Sequence, residues 1–183
     1  YALHTKIVLI TSLILIIGPS ILFLILERHA LFADMNTPQA ILNALFCAVT
    51  PRTAGFNTTD IASLSQSSQL LTIILMFIGG CPGSTAGGAK VTTITVLILY
   101  LRSMLTRTDG VNIFKRRLED EAVSKAAAVF TTHMLLAVAA TFLISMQQDL
   151  DLTVIVFDVV SAVSTVGMST GITPHLVPGA KVI

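Results

Sequence analysis

Charge is what this chain has least of. Asp, Glu, Lys and Arg make up only 11% of its 183 residues, against 54% apolar, whereas a soluble domain of this length carries roughly twice that charged fraction. With a mean hydropathy of +0.85, the composition is that of a membrane protein. A basic surplus is missing as well: 11 Lys and Arg stand against 10 Asp and Glu. Phosphate-binding surfaces need clustered excess cations, so nucleic acid is excluded as a partner. Cysteine is scarce, and Cys47 and Cys81 each lie within an apolar stretch. They read as small packing residues rather than a disulfide or metal pair, and they leave the redox compartment open. A short, basic, cleavable leader is also missing at Tyr1, so the first apolar run is expected to be a span and not a signal peptide.

What is present is a succession of apolar runs. Ile7 to Leu26 is twenty residues without a charge, between Lys6 and Glu27-Arg28, enough to cross about 30 Å of hydrocarbon as a helix. Gly18-Pro19 is a site for a kink, which a transmembrane helix accepts. After a polar link from Arg28 to Asn36, Thr37-Pro38 reads as an N-cap followed by proline at the first helical position. That helix runs only to about Thr50, and at about 20 Å it is too short to span, so it is expected to be re-entrant. The negative end of its dipole would face the residues that follow, which suits a cation.

Those residues are Thr53-Ala54-Gly55-Phe56-Asn57, and their pattern returns as Thr165-Val166-Gly167-Met168-Ser169. Both copies follow a short apolar segment ending in a hydroxyl residue, Ala48-Val49-Thr50 and Ala162-Val163-Ser164, with Pro51-Arg52 inserted only in the first. This is an internal repeat. Glycine lets the backbone turn its carbonyls toward a ligand, and exposed carbonyls at membrane depth are tolerated only along a protein-lined or water-filled path. Rings of such carbonyls replace the hydration shell of a monovalent cation, so an ion selectivity filter is the sharp reading and an ordinary turn the plain one.

Ile61 to Tyr100 holds one charge, Lys90, and is interrupted by Gly79 to Gly88, with five glycines and a proline in ten residues. That is no helix interior. A broken span is expected, with half-helices at about Gln69 to Ile78 and Lys90 to Met104 around an unwound loop, which at that depth belongs beside a cavity or substrate path. Gly83 to Lys90 superficially matches a phosphate-binding loop, but Ala89 separates the last glycine from the lysine and Val91 stands where Ser or Thr is needed. The strongly charged loop from Arg102 to Glu121 carries Arg102, Arg107, Lys115, Arg116 and Arg117, and the positive-inside bias makes it cytoplasmic. Ala126 to Gln148 is then an outward span, and about Thr153 to Ser164 a second short helix entered from outside. The order of span, short helix, filter and span appears once and begins again.

In this arrangement the sequence resembles the superfamily of K+ transporters that includes the Trk, Ktr and plant HKT membrane subunits. Three blocks carry the resemblance: Thr50 to Asn57, Gly79 to Lys90, and Ser161 to Met168. The fold it implies is an all-α membrane protein of membrane-pore-membrane repeats with re-entrant pore helices, arranged like a K+ channel. Residues 1–119 correspond to a complete repeat, the third of four, and residues 120–183 to the fourth through its filter, without the last helix or the arginine the family places there. The chain therefore reads as a C-terminal fragment.

By the same resemblance, Thr53, Ala54, Gly55, Thr165, Val166 and Gly167 would coordinate K+ through backbone carbonyl or threonine oxygens, and glycine in both filters favours K+ over Na+. Gly79, Gly80, Gly83, Ser84, Thr85, Gly87, Gly88 and Lys90 would form an intramembrane gate loop. The implied partners are the lipid bilayer, a second copy of the full-length subunit, and a cytosolic ring of nucleotide-binding RCK/KTN-type regulatory subunits. No cofactor is implied for this chain itself, any nucleotide being held by the regulatory partner. Coupling to Na+ or H+ is not decided by the residues.

Single residues keep two readings. Lys90 lies roughly 16 Å of helix inside the cytoplasmic end of its span, where an ammonium costs about 2.5 to 3.5 kcal/mol unless it faces water. It is either a cavity-facing charge below the filter or a structural lysine bonded to loop carbonyls. His133 reads as a packed, hydrogen-bonded histidine before a proton carrier. Asp158 reads as a partner for neighbouring backbone or for its pore helix, or as a carboxylate raising cation concentration. A secondary transporter binding a solute or Na+ at the broken helix is the rival class, but it needs no twinned Thr-x-Gly. An intramembrane enzyme would need paired groups, and His133, Lys90 and Asp158 share no catalytic spacing.

Overall fold

The computed structural model describes residues 3–82, 87–106, 112–113, 116–117 and 120–172. Six α-helices make up the described fold: α1 Leu3–Leu26, α2 Thr37–Val49, α3 Gln66–Ile78, α4 Val91–Leu105, α5 Asp120–Ser145 and α6 Leu152–Val163. A 3-10 turn at Ile61–Ser63 precedes α3. In the charged loop, the helical pattern gives way to a two-residue antiparallel ladder, Asn112–Ile113 (β1) with Arg116–Arg117 (β2). Of the basic residues in that loop, Arg107 and Lys115 lie outside the described residues.

Two helices, α1 and α5, are long and apolar enough to cross a membrane. The other four, at 12 to 15 residues, reach only about 18 to 23 Å. Long apolar side chains on α1 and α5, among them Leu13, Ile14, Leu135 and Phe142, are exposed, as suits helices solvated by lipid tails and would be costly in water.

Helix boundaries follow local hydrogen bonding more than hydropathy. The first span begins earlier than its apolar run and passes through Pro19 as one helix. Pro19 has no amide for the carbonyl one turn back, while Ser20 Oγ donates to Ile16 O at 2.6 Å. The N-cap of α2 is Asn36, not Thr37, with Pro38 one position further in. In α3 the helix starts three residues before expectation, because Ser65 accepts the Ser68 amide as N-cap. In α4 it starts one residue late, leaving Lys90 at the N-cap position. The second span is displaced most. It starts at Asp120, where an exposed Glu121–Lys125 pair at 2.6 Å supports a polar first turn that hydropathy cannot see, and it ends at Ser145. The final short helix opens at Leu152, capped by Asp151 accepting the Thr153 amide.

Packing places α1 against α2, α3 and α4, with α5 against α4 and α6, and α3 against α6. One core gathers Met76, Ile155, Phe157 and Val160 with Val166 and Met168 from the second Thr-x-Gly segment. The other joins Phe23 of α1 to Ala44, Cys47 and Ala48 of α2 and Leu75 of α3. Thr11 and Thr95 hydroxyls meet at 3.2 Å between α1 and α4, and Phe77 stacks edge-on with Phe130 at 5.4 Å between α3 and α5.

A polar lock closes the far end of α1. Glu27, 0% exposed, accepts the Ser65 hydroxyl at 2.6 Å and the Ser65 amide at 3.0 Å, and the Leu31 amide reaches its other oxygen at 3.4 Å. The carboxylate thus sits at the N-terminus of α3, where the helix dipole favours an anion. Burial pushes the Glu27 carboxyl up, but the hydrogen bonds from Ser65, Ser68 and Leu31 together outweigh it and hold the group below its ordinary value of 4.5. A depressed folded value means that this stabilisation is present above the ordinary carboxylate range and is lost as pH falls through the folded value. In the full-length protein, Glu27→Ala should cost about 1 to 3 kcal/mol by stranding buried donors, read as a lower melting temperature at pH 7. Glu27→Gln should lose less and should flatten the acid limb of the melting profile; an unchanged acid limb would contradict the lock.

Candidate functional site

Both short helices α2 and α6 stop at a hydroxyl residue and hand the chain to Thr-x-Gly. At the first, the Arg52 amide turns back to Val49 O at 3.1 Å, and the Ala54 and Gly55 amides to Thr50 O at 3.1 and 3.3 Å. At the second, the Thr165 amide returns to Ala162 O at 3.0 Å and the Val166 amide to Ser161 O at 2.8 Å. These amides are therefore spent on the helix ends. No donor among the described residues reaches the carbonyl oxygens of Thr53, Ala54, Gly55, Thr165, Val166 or Gly167.

The backbone is unusual at matching positions. Among the described residues other than glycine, positive φ occurs only at Thr53 (71°) and Thr165 (55°), and the partner glycines Gly55 and Gly167 have φ of 72° and 82°. A left-handed threonine costs roughly 1 to 2 kcal/mol and persists only where its surroundings over-determine it. Left-handed residues alternating with ordinary ones turn successive carbonyls toward one side, which a uniform strand does not.

The segment after each Thr-x-Gly copy is fastened to its own short helix. Asp158 of α6 accepts Ser169 Oγ at 2.7 Å, the Thr170 amide at 3.0 Å and Thr170 Oγ1 at 3.2 Å, matching the structural reading of that carboxylate. In the first copy Thr50 Oγ1 donates to Phe56 O, and Thr58 Oγ1 donates to Asn43 Oδ1 at 3.0 Å.

The two copies touch. A Cβ on Gly55 would fall 2.2 Å from Val166 O, while one on Gly167 would meet nothing within 4 Å. The likeness of the copies ends at the backbone: Met168 is 5% exposed in the core, but its counterpart Phe56 is 73% exposed.

The glycine-rich loop also reaches this site. Gly83, Ser84 and Thr85 lie outside the described residues, whereas Gly79, Gly80, Gly87, Gly88 and Lys90 are described. Between α3 and α4, two backbone bonds join the described residues on either side of the loop, Ala89 N to Phe77 O at 3.2 Å and Val91 N to Gly80 O at 3.1 Å. The Gly87 amide donates to Thr165 Oγ1 at 2.8 Å, and a Cβ on Gly87 would sit 2.6 Å from that oxygen and 2.8 Å from Ser164 O. Lys90 is half-buried at the N-terminus of α4, the end whose dipole disfavours a cation. His133 stays within its own helix, Nδ1 lying 2.9 Å from Val129 O. Neither Cys47 nor Cys81 forms a disulfide among the described residues.

The family model described as cation transport protein, TrkH, matches residues 2–183. The chain is 37% identical to the potassium/sodium uptake protein NtpJ of Enterococcus hirae over 99% of its own length and 41% of that protein. It is 33% identical to the Ktr system potassium uptake protein B of Vibrio alginolyticus, over 99% of this chain and 40% of that one, and 33% identical to the protein of the same name from Bacillus subtilis, over 100% and 42%. The chain thus spans about two fifths of the length of these relatives.

The contact between the copies makes their glycines unequal in one testable respect. Alanine at either position meets the left-handed penalty of about 1 kcal/mol, but only Gly55→Ala also overlaps a backbone oxygen. In the full-length protein Gly55→Ala should lower the melting temperature clearly more than Gly167→Ala; equal losses would show that the two segments do not abut.

Proposed function

The chain belongs to the TrkH family of cation transport proteins, and on that premise we propose that it carries two quarters of a K+ selectivity filter and the loop that gates it. Residues 1–119 form the third membrane-pore-membrane repeat of the full-length subunit and residues 120–183 the fourth through its filter. The short helices α2 and α6 enter from outside and return at Thr53 and Thr165, and α3 and α4 are the halves of one broken span. Thr53, Ala54, Gly55, Thr165, Val166 and Gly167 present their carbonyls to the ion.

The observation that carries this reading is the pair of backbones with left-handed threonine and glycine whose carbonyls no described donor reaches. Carbonyls left in that state at membrane depth need a ligand, and a monovalent cation is the ligand that rings of carbonyls suit. Potassium in the names of the relatives supports K+ as the cargo. The loop from Gly79 to Gly88, with Lys90 at its end, closes the path on the cytoplasmic side, supported by the docking of Gly87 on Thr165. The loop 102–121 is cytoplasmic and faces a nucleotide-binding regulatory ring, with the full-length subunit acting as a homodimer in the cell membrane. Any coupling to Na+ or H+ would be expressed through the same pore.

Serine at Gly167 meets open space, so its main effect is the left-handed penalty of roughly 1 to 2 kcal/mol on the carbonyl geometry. In the full-length transporter Gly167→Ser should insert normally yet raise the apparent KM for K+ and the permeability to Na+, while Val138→Ala on the exposed face of α5 leaves both alone. Wild-type selectivity in a normally inserted Gly167→Ser protein would reject the filter assignment. Deleting 79–88 should raise K+ flux and loosen its regulation; loss of flux in a correctly inserted deletion would favour a solute site at the broken helix.

A further inference from the structure

Arg52 belongs to the two-residue insertion that distinguishes the first Thr-x-Gly copy from the second, and neither filter nor gate requires it. Its Nη2 lies 3.2 Å from Ser12 Oγ and 3.9 Å from Cys81 Sγ, and the Ser12 hydroxyl and Cys81 thiol are 3.4 Å apart. Three elements meet there: the turn after α2, the middle of α1, and the opening of the glycine-rich loop. Ser12 stands about 10 Å of helix beyond the start of the apolar segment Thr5–Leu26, so the guanidinium is held inside the span and not at its rim.

Stability does not account for a charge in that place. Among the described residues Arg52 has no carboxylate within ion-pair distance, and its Nε is buried without a hydrogen-bond partner. An under-satisfied guanidinium at such depth is unfavourable. The negative end of the α2 dipole recovers only part of that. What the side chain does supply is direction, because its donors form a rigid planar fork whose one arm spans a scaffold helix and a loop.

We infer that Arg52 is a positioning residue: seated on Ser12, its guanidinium holds the Cys81 end of the glycine-rich loop beside the first Thr-x-Gly copy. The Gly87 bond to Thr165 holds the other end beside the second copy, so the loop is fastened at both ends to the elements it would have to leave on opening. The tether stands on these contacts alone; only its consequence for transport rests on the gate reading.

The test uses the full-length transporter in inside-out vesicles, with Cys81 as the sole reactive thiol, and follows the rate at which a small neutral methanethiosulfonate reagent modifies it. Loss of a charge-assisted bond in Arg52→Gln should raise that rate about ten-fold, and loss of the seat in Ser12→Ala about three-fold. Faster labelling accompanied by K+ uptake freed from its regulation supports both tether and gate. Faster labelling with unaltered uptake supports the tether and overturns the gate. Labelling that is unchanged or slower in Arg52→Gln, or in Ser12→Ala should the first variant fail to insert, overturns the tether.

Discussion

Six backbone carbonyls kept clear of every described donor set the terms for the rest of this structure. A carbonyl without a partner in an apolar surrounding is costly by several kcal/mol, and two left-handed threonines add to the cost. Such a backbone has to be held from behind. Val166 and Met168 are sunk into a core with Ile155, Phe157 and Val160, Asp158 fastens residues 169 and 170, and Thr50 reaches across to Phe56. The short helices fit the same logic, since their C-terminal ends, whose dipole favours a cation, lead directly into the two Thr-x-Gly segments.

The repeat is a repeat of backbone more than of environment. The second copy is packed into the protein and carries the docked Gly87, while the first leaves Phe56 exposed and is flanked by Arg52. The glycine-rich loop therefore meets two unlike partners, a threonine hydroxyl on one side and a guanidinium on the other. These two contacts add to the backbone bonds from Ala89 to Phe77 and from Val91 to Gly80, and to the burial of Ala89, that hold the described parts of the loop.

Hydropathy and charge made the helices legible, because twenty uncharged residues between Lys6 and Glu27, or five glycines in ten residues, leave little choice of structure. Lengths alone separated the spans from the short helices. Boundaries were less legible where a cap or a surface ion pair extends a helix past its apolar run, as Ser65 does for α3 and Glu121 with Lys125 does for α5. The twinned glycines pointed to left-handed backbone, but nothing in residue type announced it at Thr53 and Thr165, since threonine resists it. Least legible were polar contacts across long separations: Glu27 with Ser65, Gly87 with Thr165, and Arg52 with Ser12 and Cys81. Such contacts have no period, and only the insertion of Pro51-Arg52 in one copy marked that position as different.

The central claim is that the carbonyls of Thr53 to Gly55 and Thr165 to Gly167 hold a monovalent cation. Anomalous diffraction from crystals of the full-length protein soaked in Rb+ addresses it directly. The account predicts anomalous density within coordination distance of those six oxygens, displaced by K+ and not by Na+. Density instead at the broken helix beside Gly79 to Gly88, with none at the paired Thr-x-Gly segments, would contradict it.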